Sequence, residues 1–218
     1  SGIRVALSSP SNYEAYEASV RWVMSDNICF PAKLAHSHIQ DLCRQGVDRI
    51  FFPFVVYEHQ ADKKRVNSYN CPVVSGYSEV CKKVMPLNVP LDTPAITFKE
   101  EKSLFRQCKA YLSALGVSGT VIKTAFRAAW KAQHDYDVSV ASYMQQVVDE
   151  NRSSDRLVVL LAGRPYHADS LIQHKIADMI ASMGVDVITD DVVRLEDSMP
   201  SESRFISQWA YPNRILAA

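Results

Sequence analysis

Short apolar runs rich in β-branched and aromatic residues alternate in this chain with longer segments of helical periodicity. That alternation predicts an α/β fold, with parallel strands joined through crossover helices that cover the faces of the sheets. The run Arg156 to Ala162 (RLVVLLA) is apolar without a break, as a strand buried on both faces requires. Ile3 to Ser8 (IRVALS) reads as a first strand. Arg49 to Val56 (RIFFPFVV) reads as a buried strand interrupted at Pro53, and Ala95 to Phe98 and Val185 to Thr189 read as two more. Helical patterns cover Tyr13 to Val23, Pro31 to Gln45, Pro72 to Val84, Glu100 to Leu115, Val121 to Glu150, 170–183 and 203–218, the last interrupted at Pro212. Within Pro31 to Gln45, Ala35, Ile39 and Leu42 share one face, and Gly46 provides the stop. The tetrapeptide VSGT (117–120) marks a boundary. Residues 1–117 form a first α/β lobe, and residues 118–218 form a long helical segment followed by a second.

Charge excludes some partners. Lys+Arg and Asp+Glu number 24 each, so neither nucleic acid nor an anionic membrane is expected as the main partner. No apolar run is long enough to span a bilayer. The opening SGIRVALSSP reads as strand and turn rather than signal peptide. The missing initial Met is read as the mark of a piece of a longer protein, with Ser1 and Gly2 as a cloning scar. Five cysteines are an odd number and too sparse for a disulfide scaffold, so a cytoplasmic location with reduced thiols is expected.

Two of those cysteines carry the chemistry. Cys29 (NICFPAKLAHSHIQDL) and Cys71 (NSYNCPVVSGYSEV) each stand just ahead of a proline suited to the first turn of a helix. A thiol at a helix N-terminus is biased toward thiolate, the form that a metal or an iron–sulfur cluster binds. The bland reading is a pair of inert buried thiols. Lys33, His36 and His38 follow on the same helix. They would complete a two-Cys, two-His zinc site, bring positive charge to an anionic cluster or a CoA phosphate, or form a solvated face. Cys43, Cys81 and Cys108 fall inside helical patterns and read as ordinary core or surface thiols. Arg164, Tyr166 and His167 follow a buried strand, where ligands gather in open parallel sheets, and read as cleft residues or as a structural turn. Trp209, Tyr211 and Arg214 line the same cleft or form a closing amphipathic helix. Asp190, Asp191, Glu196 and Asp197 read as solvated loop.

The segments CFPAKLAHSHIQDL, GVDRIFFP, YNCPVV, LAGRPYH and QWAYPNRILAA, in this order, resemble the 2-hydroxyacyl-CoA dehydratase and activase-related proteins. They are most similar to a region shared by the large CoA-substrate-specific enzyme activases. The resemblance implies two flavodoxin-like or Rossmann-like lobes with an iron–sulfur cluster between them, a [4Fe–4S] centre or a double cubane. Cys29 and Cys71 match cluster-binding positions, and a further cysteine in a Phe-Gly-Cys-Gly context is expected past the QWAYPNR helix, beyond Ala218. The implied partner is an ATPase module of the actin/Hsp70 type, which delivers low-potential electrons on ATP hydrolysis. No GxxxxGK[ST] loop occurs in this sequence, and it has only seven glycines. The family pattern after GRPYH is Ile-Asp-Pro and later Asn-His-Gly; here ADS and QHK stand, which weakens a role for His174, and Ser37 replaces a common glycine. The function implied is the cluster-binding part of an ATP-driven reductase or dehydratase-activating system acting on an acyl-CoA or another small molecule. This chain is expected to be part of an enzyme and inactive alone, with any cluster incomplete or absent in it. The alternatives are a non-catalytic docking or scaffold region, and a CoA-binding α/β module without redox chemistry.

Overall fold

The computed structural model describes residues 2–59, 67–154, 156–193 and 208–217. The chain is α/β, and its strands pair in parallel. Helix α1 (Tyr13–Ser19) is capped by the Asn12 side chain, which accepts the Ala15 N–H, and it runs into a 3-10 turn over Val20–Trp22. Helix α2 (Phe30–Arg44) follows, with Pro31 in its first turn and Gly46 at φ +73° past its end. Two short strands, β1 (Ile50–Phe51) and β2 (Phe54–Tyr57), are separated at Pro53. Helix α3 (Tyr77–Val84) crosses over to β3 (Leu91–Asp92) and β4 (Ala95–Thr97).

Strand β1 pairs with β3, and β2 with β4. The break between the two pairs has a simple cause: Pro53 lacks the N–H a ladder needs. The opposite prolines still serve through their carbonyls, since Pro90 accepts the Ile50 N–H and Pro94 accepts the Phe54 N–H. The core of this unit gathers Ala32 and Ile39 from α2, Ile50, Leu91, Met85, and Tyr77 and Cys81 from α3.

Helix α4 (Glu101–Ala114) packs on α5 (Gly119–Ser153), with Phe105 edge-on to Phe126 and Phe126 stacked on Trp130. The far end of α5 reaches a third parallel pair, β5 (Val158–Leu161) with β6 (Asp186–Thr189), joined through α6 (Ile176–Ala181). There Asn151, nearly fully buried, donates to the Asp186 carboxylate at 2.7 Å. Helix α7 (Ala210–Ala217) closes the described chain. Among the described residues no helix is long and apolar enough to cross a membrane.

Three local expectations are corrected. Ile3 to Ser8 enters no strand. The segment lies along α2, where Gln45 Nε2 donates to the Leu7 carbonyl and Asp41 accepts the Ser9 N–H, so helix side chains take the place of a strand edge. Val5 and Leu7 are each 82% exposed. The helix expected from Pro72 begins only at Tyr77, because Gly76 at φ −157°, ψ −9° breaks the helical path and leaves 72–76 as turns. Residues 170–175 are likewise turns. Asp169 caps the Leu171 and Ile172 N–H groups, and His174 and Lys175 take positive φ, which interrupts a helix. The sheets themselves are two-stranded pairs, one βαβ unit in each half of the chain.

Candidate functional site

Cys29 is the N-cap residue of α2. Its backbone is extended (φ −61°, ψ 148°), and its carbonyl accepts the Ala32 and Lys33 N–H groups at 3.1 and 3.2 Å. Its thiol is exposed and free. One turn along, Lys33 Nζ donates to the Asp26 carbonyl at 2.9 Å, which pins the loop that leads into Cys29.

His36 does not face the same opening. It is fully buried, edge-on to Tyr77, with Nε2 3.1 Å from the Tyr77 hydroxyl and 4.0 Å from Cys81 Sγ, while Nδ1 has no hydrogen-bond partner among the described residues. Desolvation lowers its pKa, so it is held neutral. Positive charge from His36 is therefore corrected. Burial likewise pushes the Cys81 thiol up to about 12, and that of Tyr77 rises through burial with added effect from the Cys81 and Cys29 thiols. Cys43 and Cys108 are raised by burial too.

His38 points elsewhere again, its Nε2 3.1 Å from Ser11 Oγ. Burial works to raise the Asp169 carboxyl, but the Ser11 hydroxyl and the Ile172 and Leu171 N–H groups outweigh it, and His38 adds to them, so Asp169 stays below the usual carboxylate range. This contact joins the second half of the chain to α2. Among the described residues no three His, Cys, Asp or Glu side chains gather as a metal would need, so the two-Cys, two-His zinc set is not assembled.

Cys71 is free and half-buried, and its sulfur accepts the Val74 N–H at 3.5 Å. Its carbonyl takes both the N–H and the hydroxyl of Ser75. Just upstream, Tyr69 bridges Tyr57 on one side and Trp209 on the other. Its N–H donates to the Gln208 carbonyl at 2.8 Å, and its carbonyl accepts the Ala210 N–H at 3.0 Å. The QWAYPN segment thus lies alongside YNCP. Asn70, 4% exposed, donates from Nδ2 to the Val55 carbonyl and to Glu58 Oε1, and Tyr211 donates its phenol to the same oxygen at 3.3 Å.

Helix α7, which carries Arg214, also packs on the 3-10 turn Asp190–Val193 that follows β6. Asp190 is 4% exposed and accepts the Gly163 N–H at 3.3 Å, which corrects its reading as solvated loop; Glu196 and Asp197 lie outside the described residues. Gly163 opens the GRPYH turn beyond the C-terminal end of β5. There the Arg164 N–H donates to His167 Nδ1 at 3.0 Å, and the half-buried Tyr166 ring packs edge-on to His167, which is exposed. A Cβ on residue 163 would clash with His167 Nδ1, so a side chain there fits only if the His167 ring moves.

Contacts therefore run from YNCP to QWAYPN, to Asp190–Val193 and to GRPYH. The sequence offered no sign of Glu58, Asn70 or Asp190 as site residues. The only hint was that Asn70 adjoins Cys71.

The family model of the CoA enzyme activase uncharacterised domain matches residues 1–193. No curated protein and no solved structure matches the chain. The chain belongs to the family defined by the CoA enzyme activase uncharacterised domain.

Proposed function

We propose that this domain supplies Cys29 and Cys71 to an iron–sulfur cluster in an ATP-driven, low-potential reductase or dehydratase-activating system that acts on an acyl-CoA or another small molecule. The observation that carries the reading is the meeting of separate motif segments beside one free thiol: YNCP pairs with QWAYPN, and that segment leads through Asp190 to GRPYH. Family membership ties the domain to a CoA-related enzyme system.

The donors present fit a cluster in kind but not in number. Cys29 is an exposed thiol at the N-cap of α2, and Cys71 takes a backbone N–H on its sulfur, the type of hydrogen bond that tunes cluster potentials. No third donor gathers with them among the described residues, and in this reading the remaining ligands come from the further cysteine that the family pattern implies past Ala218. A bound cluster would supply one-electron transfer. Around it, Lys33 holds the loop before Cys29, and Arg164, Tyr166 and His167 stand where an acyl-CoA would meet the carboxyl end of β5. His36, buried beneath, holds α2 to α3. In this reading the two βαβ units belong to two Rossmann-like lobes, the ATPase is a separate module, and the system is cytoplasmic. The test is anaerobic reconstitution of a longer chain, extended past Ala218 through the further cysteine that the family pattern implies. Iron bound by the wild type and lost in Cys29→Ala and in Cys71→Ala supports the reading; iron bound equally by all three overturns it.

A second reading, a docking region for the ATPase module, is favoured by the exposed Ile3, Val5 and Leu7 on the segment that lies along α2. ATP-dependent association that survives loss of both cysteines supports it; association lost with them counts against it.

A further inference from the structure

We infer that Glu58 is the positioning residue of Cys71, acting as a clasp between the peptide that carries the thiol and the QWAYPN segment. Glu58 is itself fixed at both backbone groups: its N–H donates to the Ser68 carbonyl at 2.9 Å, and its carbonyl accepts the Ser68 hydroxyl at 2.6 Å. Its carboxylate is thereby aimed before it meets a partner. Oε1 then receives two donors, Asn70 Nδ2 at 2.9 Å and the Tyr211 phenol at 3.3 Å. Asn70 has both amide hydrogens engaged, the second with the Val55 carbonyl, and its own N–H reaches the Val56 carbonyl at 2.9 Å. The residue next to Cys71 is thus immobilised in backbone and side chain.

A carboxylate oxygen makes stronger hydrogen bonds than a neutral acceptor. Tyr211 reaches the clasp only when residues 208–210 lie against Tyr69. Glu58 therefore makes the setting of the Cys71 sulfur depend on whether that segment is seated. The inference draws on the cluster reading only where it treats Cys71 as a ligand; the positioning is a property of the thiol itself.

The test is site-resolved alkylation of the full chain with iodoacetamide under reducing, anaerobic conditions, read by peptide mass spectrometry. Glu58→Ala is expected to speed labelling of Cys71 about tenfold, the loss of roughly one charge-assisted hydrogen bond, while Cys29 keeps its rate and buried Cys81 stays unlabelled. Glu58→Gln keeps the oxygen acceptor and is expected to stay within about twofold of wild type, with Tyr211→Phe between the two. A Cys71 rate unchanged in Glu58→Ala, or equally fast in Glu58→Gln, overturns the inference. Should Glu58→Ala expose Cys81 and so prove unfolded, Tyr211→Phe decides: faster Cys71 labelling with Cys81 still protected supports the clasp, and a wild-type rate overturns it. Iron content after reconstitution is read separately. An extended wild type, continued past Ala218 through the further cysteine, that binds no iron defeats the cluster reading while these rates still decide the role of Glu58.

Discussion

His36 Nε2 lies 3.1 Å from the Tyr77 hydroxyl, and this contact joins α2 to α3 beneath the thiol of Cys29. It places a titratable ring in the core, where the neutral form is favoured. The unfolded chain binds a proton at the ordinary value of 6.5, the folded chain only at lower pH. His36 therefore leaves stability intact above that value and costs stability as pH falls below it. The midpoint of thermal unfolding is expected to drop between about pH 7.5 and 5.5, and His36→Gln, which keeps a hydrogen-bonding amide toward Tyr77 but does not titrate, is expected to flatten that drop.

Removing the other partner tests the same contact at constant pH. Tyr77→Phe leaves His36 Nε2 buried without its hydroxyl. The expected loss is about 1–3 kcal/mol, measured by chemical denaturation at neutral pH. A loss well below that range would mean that the ring relaxes toward another partner.

Beyond the β5–β6 pair, Gly163→Ala is expected to push the His167 ring out of the turn and break its bond with the Arg164 N–H, at a cost of about 1 kcal/mol. The same substitution made on His167→Ala is expected to cost less, because only the contact at the Cβ of residue 167 remains. A double-mutant cycle reads that coupling, and full additivity would contradict the geometry.

Local signals were legible where one residue sets the backbone. Pro31 and Gly46 mark the limits of α2, and Pro53 marks the break between β1 and β2. Alternation misled at Ile3 to Ser8, because pattern alone does not supply a neighbouring strand, and α2 took the backbone contacts instead. The stripe Ala35, Ile39 and Leu42 was too narrow to show His36 as buried. Helix α2 is covered by α1 and by α3, so its buried set widens to Ala32, Leu34, His36, Ser37 and Ile39. The clasp at Glu58 was out of reach for a different reason: it joins residues far apart in the chain, and neither periodicity nor capping reports such a contact. Cys29 was legible as an N-cap; Cys71 was legible only as a cysteine before a proline, since its turn is not yet helix.

The most direct measurement is iron and acid-labile sulfide, with an absorption spectrum, on an anaerobically reconstituted chain extended past Ala218 through the further cysteine, and on its Cys29→Ala and Cys71→Ala variants. The account predicts a thiolate-bound cluster in the wild type that either substitution removes or makes labile. A wild type without iron, or a cluster indifferent to both cysteines, would contradict it.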